Sequence, residues 1–196
     1  MSTTCGVSGC FDFEFRISNF GFAQEGTETM RLTILTTGGT IDKTYDEFQG
    51  SLRNEHTVID VILDGLRTPD LEITNLEVMH KDSLDMTEVD REIIARAVCD
   101  AAPTTDAIVI LHGTDTLSDT GELLFQRCSD LEIPVILTGA MRPYEFRDTD
   151  ATQNVIEALL ASRLVEAGVY VAMHNRVLKF PGVVKDREAL AFVLKE

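Results

Sequence analysis

From Arg31 onward the chain alternates short apolar runs with amphipathic segments, and this rhythm most restricts the fold. Strands are expected at 31–36, 71–79, 106–111, 134–138 and 168–174. They are rich in Ile, Val and Leu with little in–out alternation, as when helices cover both faces of a parallel sheet. Helices are expected at 55–67, 87–101, 118–128 and 150–166. The second opens Thr87-Glu88-Val89-Asp90, close to a capping box. Val89, Ile93, Ala97 and Ile94, Val98, Ala101 then recur at helical spacing, as do Val155, Leu159 and Ile156, Leu160 in the fourth. Regular β–α alternation implies right-handed crossovers and a single doubly wound α/β domain, its sheet mostly parallel with helices on both faces. The 196 residues suit one such core. Residues 1–29 are set apart by Gly, Ser, Thr and Phe without a period, and Met30 is a second possible start. They are expected to be an N-terminal extension, either flexible or an edge strand through Phe11, Phe13 and Phe15. The domain proper is placed at 30–196.

The net charge of −16 repels phosphate backbones and anionic membranes, which argues against nucleic-acid and membrane-surface roles. Its simplest consequence is solubility. No apolar run approaches the ~18 residues of a membrane span. Asp12, Glu14 and Arg16 interrupt any secretory signal. Of the four cysteines, Cys99 and Cys128 fall in helix-like segments and read as small hydrophobes, while Cys5 and Cys10 lie in the leader. No four-ligand zinc pattern exists, so no metal is expected, and the compartment is read as a reducing cytoplasm.

Three polar turns follow buried strands: Thr36-Thr37-Gly38-Gly39-Thr40-Ile41, His112-Gly113-Thr114-Asp115-Thr116 and Thr138-Gly139-Ala140-Met141-Arg142-Pro143. Glycines let the backbone approach a ligand closely. The carboxyl ends of such strands are where α/β sheets bind small molecules. The three turns therefore point to one composite site. Thr37 and Thr114 are candidate hydroxyl nucleophiles, which need a proton acceptor; Tyr45 and Lys185 are candidate helpers. Turn and helix N–H groups can hold a carboxylate or an oxyanion, and Asp115 suits an ammonium. Together these suit a free α-amino acid and acyl transfer from its side chain. Taken singly, each has a plainer reading. A Thr-Gly-Gly-Thr turn occurs in phosphate cradles too. His112 reads as a satisfied strand-end histidine, and His56, His80 and His174 lack metal-ligand spacing. Lys185 alone would be a surface lysine, and Tyr45 a loop aromatic.

The first two turns, in this order and spacing, closely resemble the two signatures of the bacterial-type L-asparaginases, and Gly139 to Pro143 matches a third stretch of that family. The resemblance runs from about Arg31 to about Lys185. It implies hydrolysis of the L-asparagine side-chain amide to L-aspartate and ammonia, with no metal or organic cofactor. It places the nucleophile on Thr37 and the mobile-loop tyrosine on Tyr45, within a polar loop 42–54 expected to close over ligand. It places a Thr-Lys-Asp triad on Thr114, Lys185 and Asp115. Ser83 becomes the substrate-binding serine, and Ala140 offers its carbonyl to the leaving nitrogen. Two features depart from the family: Leu84 stands where a polar residue often follows that serine, and the chain ends at Glu196, without the usual second domain. A short, single-domain form is expected, working as a homodimer or homotetramer. Three alternatives stand beside this: a non-catalytic amino-acid-binding module, the amidase subunit of a tRNA-dependent amidotransferase, and a phosphate-binding turn. The last lacks a Gly-Lys-Ser/Thr element.

Overall fold

Strands β1 (Met30–Gly38), β4 (Leu71–Lys81), β5 (Ala107–Leu111), β6 (Pro134–Thr138), β7 (Gly168–Met173) and β8 (Arg176–Lys179) form the main sheet, in the order β4-β1-β5-β6-β7-β8. All neighbours are parallel except β7 and β8. The structure, a computed structural model, describes residues 29–195 apart from Ser129. The expectation of a flexible leader or an edge strand through Phe11, Phe13 and Phe15 lies outside these residues.

Helices α2 (Glu88–Ala101) and α3 (Leu117–Arg127) cover one face, and α1 (Ile59–Asp64) and α4 (Ala151–Leu164) the other. Ile108, Ile110, Leu137 and Val171 meet Ile94, Val98 and Leu124 on the first face. Leu32, Ile34, Val109 and Ile136 meet Ile59, Ile62, Val155 and Ala158 on the second. Strands buried on both faces cannot alternate polar and apolar residues, which is why these read as continuous apolar runs. β1 leads through α1 to β4 on one side, and β4 leads through α2 to β5 on the other. The winding thus reverses between β1 and β5, and the crevice beyond their carboxyl ends is where a doubly wound sheet takes its ligand.

Several local expectations change. Helix 55–67 is only Ile59–Asp64, because the buried Asp42 carboxylate takes the Thr57 hydroxyl at 3.1 Å and the Val58 N–H at 2.9 Å, holding the chain off helical geometry. α2 has a complete capping box between Thr87 and Asp90. Only its Ile94, Val98, Ala101 stripe is inward; Val89 and Ile93 are exposed. Likewise Val155 and Leu159 of α4 are buried while Ile156 and Leu160 face outward. A sheet covers one stripe of a helix, and the second lies about 100° around it. The polar loop 42–54 is a hairpin, β2 (Lys43–Asp46) with β3 (Ser51–Asn54). β7 stops at Met173 because His174 and Asn175 take left-handed conformations, φ 52° and 60°, and turn the chain back into β8.

A last hairpin, β9 (Val183–Asp186) with β10 (Ala191–Leu194), has no counterpart among the expected elements. It is anchored on α3. The fully buried Phe180 ring fills the space over Gly121, where a Cβ would lie 2.1 Å from its Cζ. The Glu122 carboxylate accepts the Gly182 N–H at 2.5 Å. This anchoring carries Lys185 to the end of β5.

Candidate active site

At the end of β1, Gly38 and Gly39 adopt φ 91° and 90°, a region side-chain-bearing residues avoid. A Cβ on Gly39 would lie 2.4 Å from the Gly113 N and Cα, so the turns after β1 and β5 touch backbone to backbone. On the other side of Gly113 sits Ser83, whose Oγ would be 2.6 Å from a Cβ there. The Ser83 carbonyl accepts the Thr116 hydroxyl at 2.8 Å, tying the one-turn helix Ser83–Asp85 to the β5 turn. The Ser83 hydroxyl itself is buried with no partner among the described residues. Such an orphan is costly unless a ligand satisfies it.

Lys185 reaches this point from β9. Its Nζ donates to Thr114 Oγ1 at 2.8 Å and to Asp115 Oδ1 at 2.9 Å, with its side chain almost buried. Thr114 turns its own hydroxyl proton toward the Met141 sulfur at 3.5 Å, a weak acceptor. The three residues separated by up to 71 positions in sequence thus meet as one cluster.

Thr37 does not join it. Its side chain is fully buried and its hydroxyl donates to the Leu111 carbonyl at 2.8 Å, pinning the end of β1 to the end of β5. A hydroxyl with no accessible surface, committed to a main-chain carbonyl, is not placed to attack a substrate. This corrects the assignment of the nucleophile to Thr37. The hydroxyl that escapes the sheet is Thr40, partly exposed, the first residue past the two glycines and the start of the one-turn helix Thr40–Asp42. Sequence reasoning passed over it by taking the glycines as following the candidate hydroxyl, whereas here a second hydroxyl is presented beyond them. The signal was present: a Gly-Gly pair bends the chain out of the strand, so the residue after it reaches the mouth.

Tyr45 also stands apart from the cluster. It lies on β2, 57% exposed, with its hydroxyl 3.8 Å from where a Gly50 Cβ would be, over its own hairpin turn. Its N–H donates to Glu145 at 2.9 Å, and Lys43 on the same strand pairs with Asp82 at 2.5 Å. Asp82 also accepts the Leu84 N–H at 3.1 Å, so the hairpin is tied to the Ser83 turn. Burial pushes the Asp82 carboxyl up, but the bonds from Lys43 and Leu84 outweigh it and hold it below its ordinary range. Leu84 itself is exposed. Ala140 is buried in the turn after β6.

His112 explains how the β5 turn is held. Its Nδ1 lies 2.8 Å from the Gly113 carbonyl and its Nε2 2.9 Å from the Thr120 hydroxyl. A carbonyl only accepts, so the network assigns the proton to Nδ1, and Nε2 accepts from Thr120. Complete burial lowers its pKa to about 4; the Gly113 bond opposes this and nearby Arg91 adds to it. The neutral form is therefore favoured by folding. That contribution is full above the unfolded value near 6.5, declines as pH falls toward about 4, and is flat below. Urea midpoints should fall over this window by the equivalent of on the order of 3 kcal/mol. His112→Gln should remove most of that slope, and a parent and variant differing equally at every pH would contradict a neutral His112.

Among the described residues no group of three or more His, Cys, Asp or Glu is placed to hold a metal ion, and no helix is long and apolar enough to cross a membrane.

The family model described as Asparaginase, N-terminal, matches residues 31–188. The chain is 36% identical over 153 residues to an L-asparaginase of Thermococcus kodakarensis, covering 76% of this chain and 45% of that protein. It is 32% identical over 151 residues to a glutamyl-tRNA(Gln) amidotransferase subunit of Methanococcus vannielii, covering 74% and 34%. The solved thermostable L-asparaginase from Thermococcus kodakarensis superposes with a TM-score of 0.74 at 34% identity, over 84% of this chain and 51% of that one. The chain spans about half the length of the curated asparaginases it matches.

Proposed function

The chain belongs to the asparaginase family, whose N-terminal domain it carries, and on that premise we propose that it is an amidohydrolase cleaving the side-chain amide of L-asparagine to L-aspartate and ammonia. The observation that carries this is the Thr114–Lys185–Asp115 cluster, set beside the Gly38-Gly39 turn at the point where the sheet reverses its winding. A binding module needs a charge to hold its ligand. It has no need of a lysine donating to a buried threonine hydroxyl.

The attacking group in this reading is the Thr40 hydroxyl. Its oxygen bonds to the amide carbon while its proton passes to Thr114 Oγ1, which hands its own hydroxyl proton to the Nζ lone pair of Lys185 acting as the amine. N–H groups of the turns stabilise the oxyanion. The C–N bond then breaks, the nitrogen leaves as ammonia with the relayed proton, and the resulting ester is hydrolysed by water to aspartate and free Thr40. Asp115 takes the substrate ammonium, and Ser83 supplies its unpartnered hydroxyl to the substrate carboxylate. No cofactor enters this chemistry.

The hairpin carrying Tyr45 is exposed and held by two polar ties, which suits a segment that closes over ligand. Tyr45→Phe should lower kcat more than it raises KM. Parental kcat with a raised KM would limit Tyr45 to binding.

A second reading is favoured by the likeness to an amidotransferase subunit: the same cleavage with ammonia passed to a partner protein. Ammonia release from asparagine, from glutamine and from a blank by the purified chain separates the possibilities. Turnover of asparagine alone supports the proposal. Saturable asparagine binding without ammonia identifies a binding module, and turnover only with a partner identifies the amidotransferase role. We further propose a homodimer or homotetramer: among the described residues Asp115 is the carboxylate assigned to the substrate ammonium, and a neighbouring copy in a closed symmetric assembly, the commonest kind of oligomer, would supply a second group. Sedimentation at micromolar protein tests it; a fully active monomer would refute it.

A further inference from the structure

Asp150 occupies the N-cap position of α4, where an aspartate ordinarily accepts N–H groups of its own helix. Here its side chain makes no such cap. Both carboxylate oxygens instead accept the Met141 N–H, each at 3.0 Å, and Oδ1 also accepts the Arg142 N–H at 3.1 Å. Oδ2 meets Asn154 Nδ2 at 2.8 Å and His174 Nε2 at 2.7 Å. Asn154, fully buried, donates from the same amide to the Gly139 carbonyl at 2.9 Å, and its Oδ1 accepts the His174 N–H at 3.1 Å. One carboxylate and one amide thus knot together the turn after β6, the start of α4 and the β7–β8 turn. Burial pushes the Asp150 carboxyl up, but the bonds from Met141, His174, Arg142 and Asn154 outweigh it and hold it below its ordinary range.

The direction of one carbonyl follows. A peptide unit is planar and trans, so its C=O and N–H point opposite ways. The N–H of Met141 is aimed at Asp150, so the C=O of Ala140 is aimed away from Asp150 and α4. Among the described residues no donor satisfies that carbonyl. It begins one residue from Gly139, where a Cβ would lie 3.4 Å from Thr114 Cγ2. We propose that Asp150, backed by Asn154 and His174, is a positioning residue that aims the Ala140 carbonyl at the leaving nitrogen of the substrate amide. This rests on the amidohydrolase reading above. Asp150 touches no reacting atom; it acts through the Ala140–Met141 peptide.

The test compares the full chain with Asp150→Ala and Asp150→Asn. A misaimed group costs up to about 100-fold in rate. Asp150→Ala should therefore lower kcat for asparagine by about 100-fold with KM within about threefold, because the carbonyl acts on the departing nitrogen rather than on bound substrate. Asp150→Asn keeps one acceptor oxygen and should lose about tenfold. L-Aspartic β-hydroxamate expels a weaker base than ammonia, so its loss should be several times smaller, which a general structural defect would not produce. Amide exchange at Met141 should accelerate in Asp150→Ala while the β5 amides remain protected. If that variant does not fold, Asp150→Asn and its substrate dependence carry the test. An active parent whose variants keep kcat, or lose it equally for both substrates, overturns the role of Asp150 alone. A parent releasing no ammonia overturns the amidohydrolase reading and this role with it.

Discussion

Thr40→Ala should reduce asparagine turnover by at least about 1,000-fold, roughly 4 kcal/mol of barrier, while leaving the urea midpoint near that of the parent. The Thr40 side chain is partly exposed, beyond the two glycines, and packs no core. Thr37→Val should do the reverse. It keeps the shape but removes the buried 2.8 Å bond to the Leu111 carbonyl. That costs about 1–3 kcal/mol of stability, with turnover expected within about tenfold of the parent once the protein is folded. Steady-state ammonia release and urea titration on the same preparations decide between the two threonines. If Thr37→Val abolishes turnover and Thr40→Ala does not, the assignment is inverted.

Lys185→Met and Thr114→Val should each cost about 1,000-fold or more in kcat, and the double variant little beyond the worse single. The reason is geometric: the Lys185 Nζ spans Thr114 and Asp115 at 2.8 and 2.9 Å, so removing either end disables one relay. Non-additive loss is the signature of residues that act as a unit. Fully multiplicative losses would mean that the two work independently. Lys185 comes from a hairpin held on α3 through Phe180, so circular dichroism and urea midpoints must accompany the kinetics. An intact Lys185→Met fold separates loss of the Nζ group from loss of the hairpin's position.

The alternation of apolar runs and amphipathic segments determined the doubly wound sheet, because strands covered on both faces leave no room for polar alternation. The glycine-containing turns determined where the site lies, since their spacing places three such turns after three parallel strands. Thr114 and Asp115 were legible as candidates for the same reason, and Ser83 and the placement of Lys185 beside them only through the likeness of their stretches to a known family. Which threonine faces the crevice was not legible. Thr37 and Thr40 are both hydroxyls flanking two glycines, and only the φ of about 90° at each glycine decides that the strand buries the first and releases the second. Nor could periodicity choose between the paired stripes of α2 and α4, since both satisfy helical spacing and only one meets the sheet. The meeting of Lys185 with Thr114, and of Asp150 with the Met141 N–H, likewise depends on contacts between segments distant along the chain. Local pattern determines where a strand or a turn occurs; which side chains a turn presents, and to what, is decided by the backbone approaches that packing enforces.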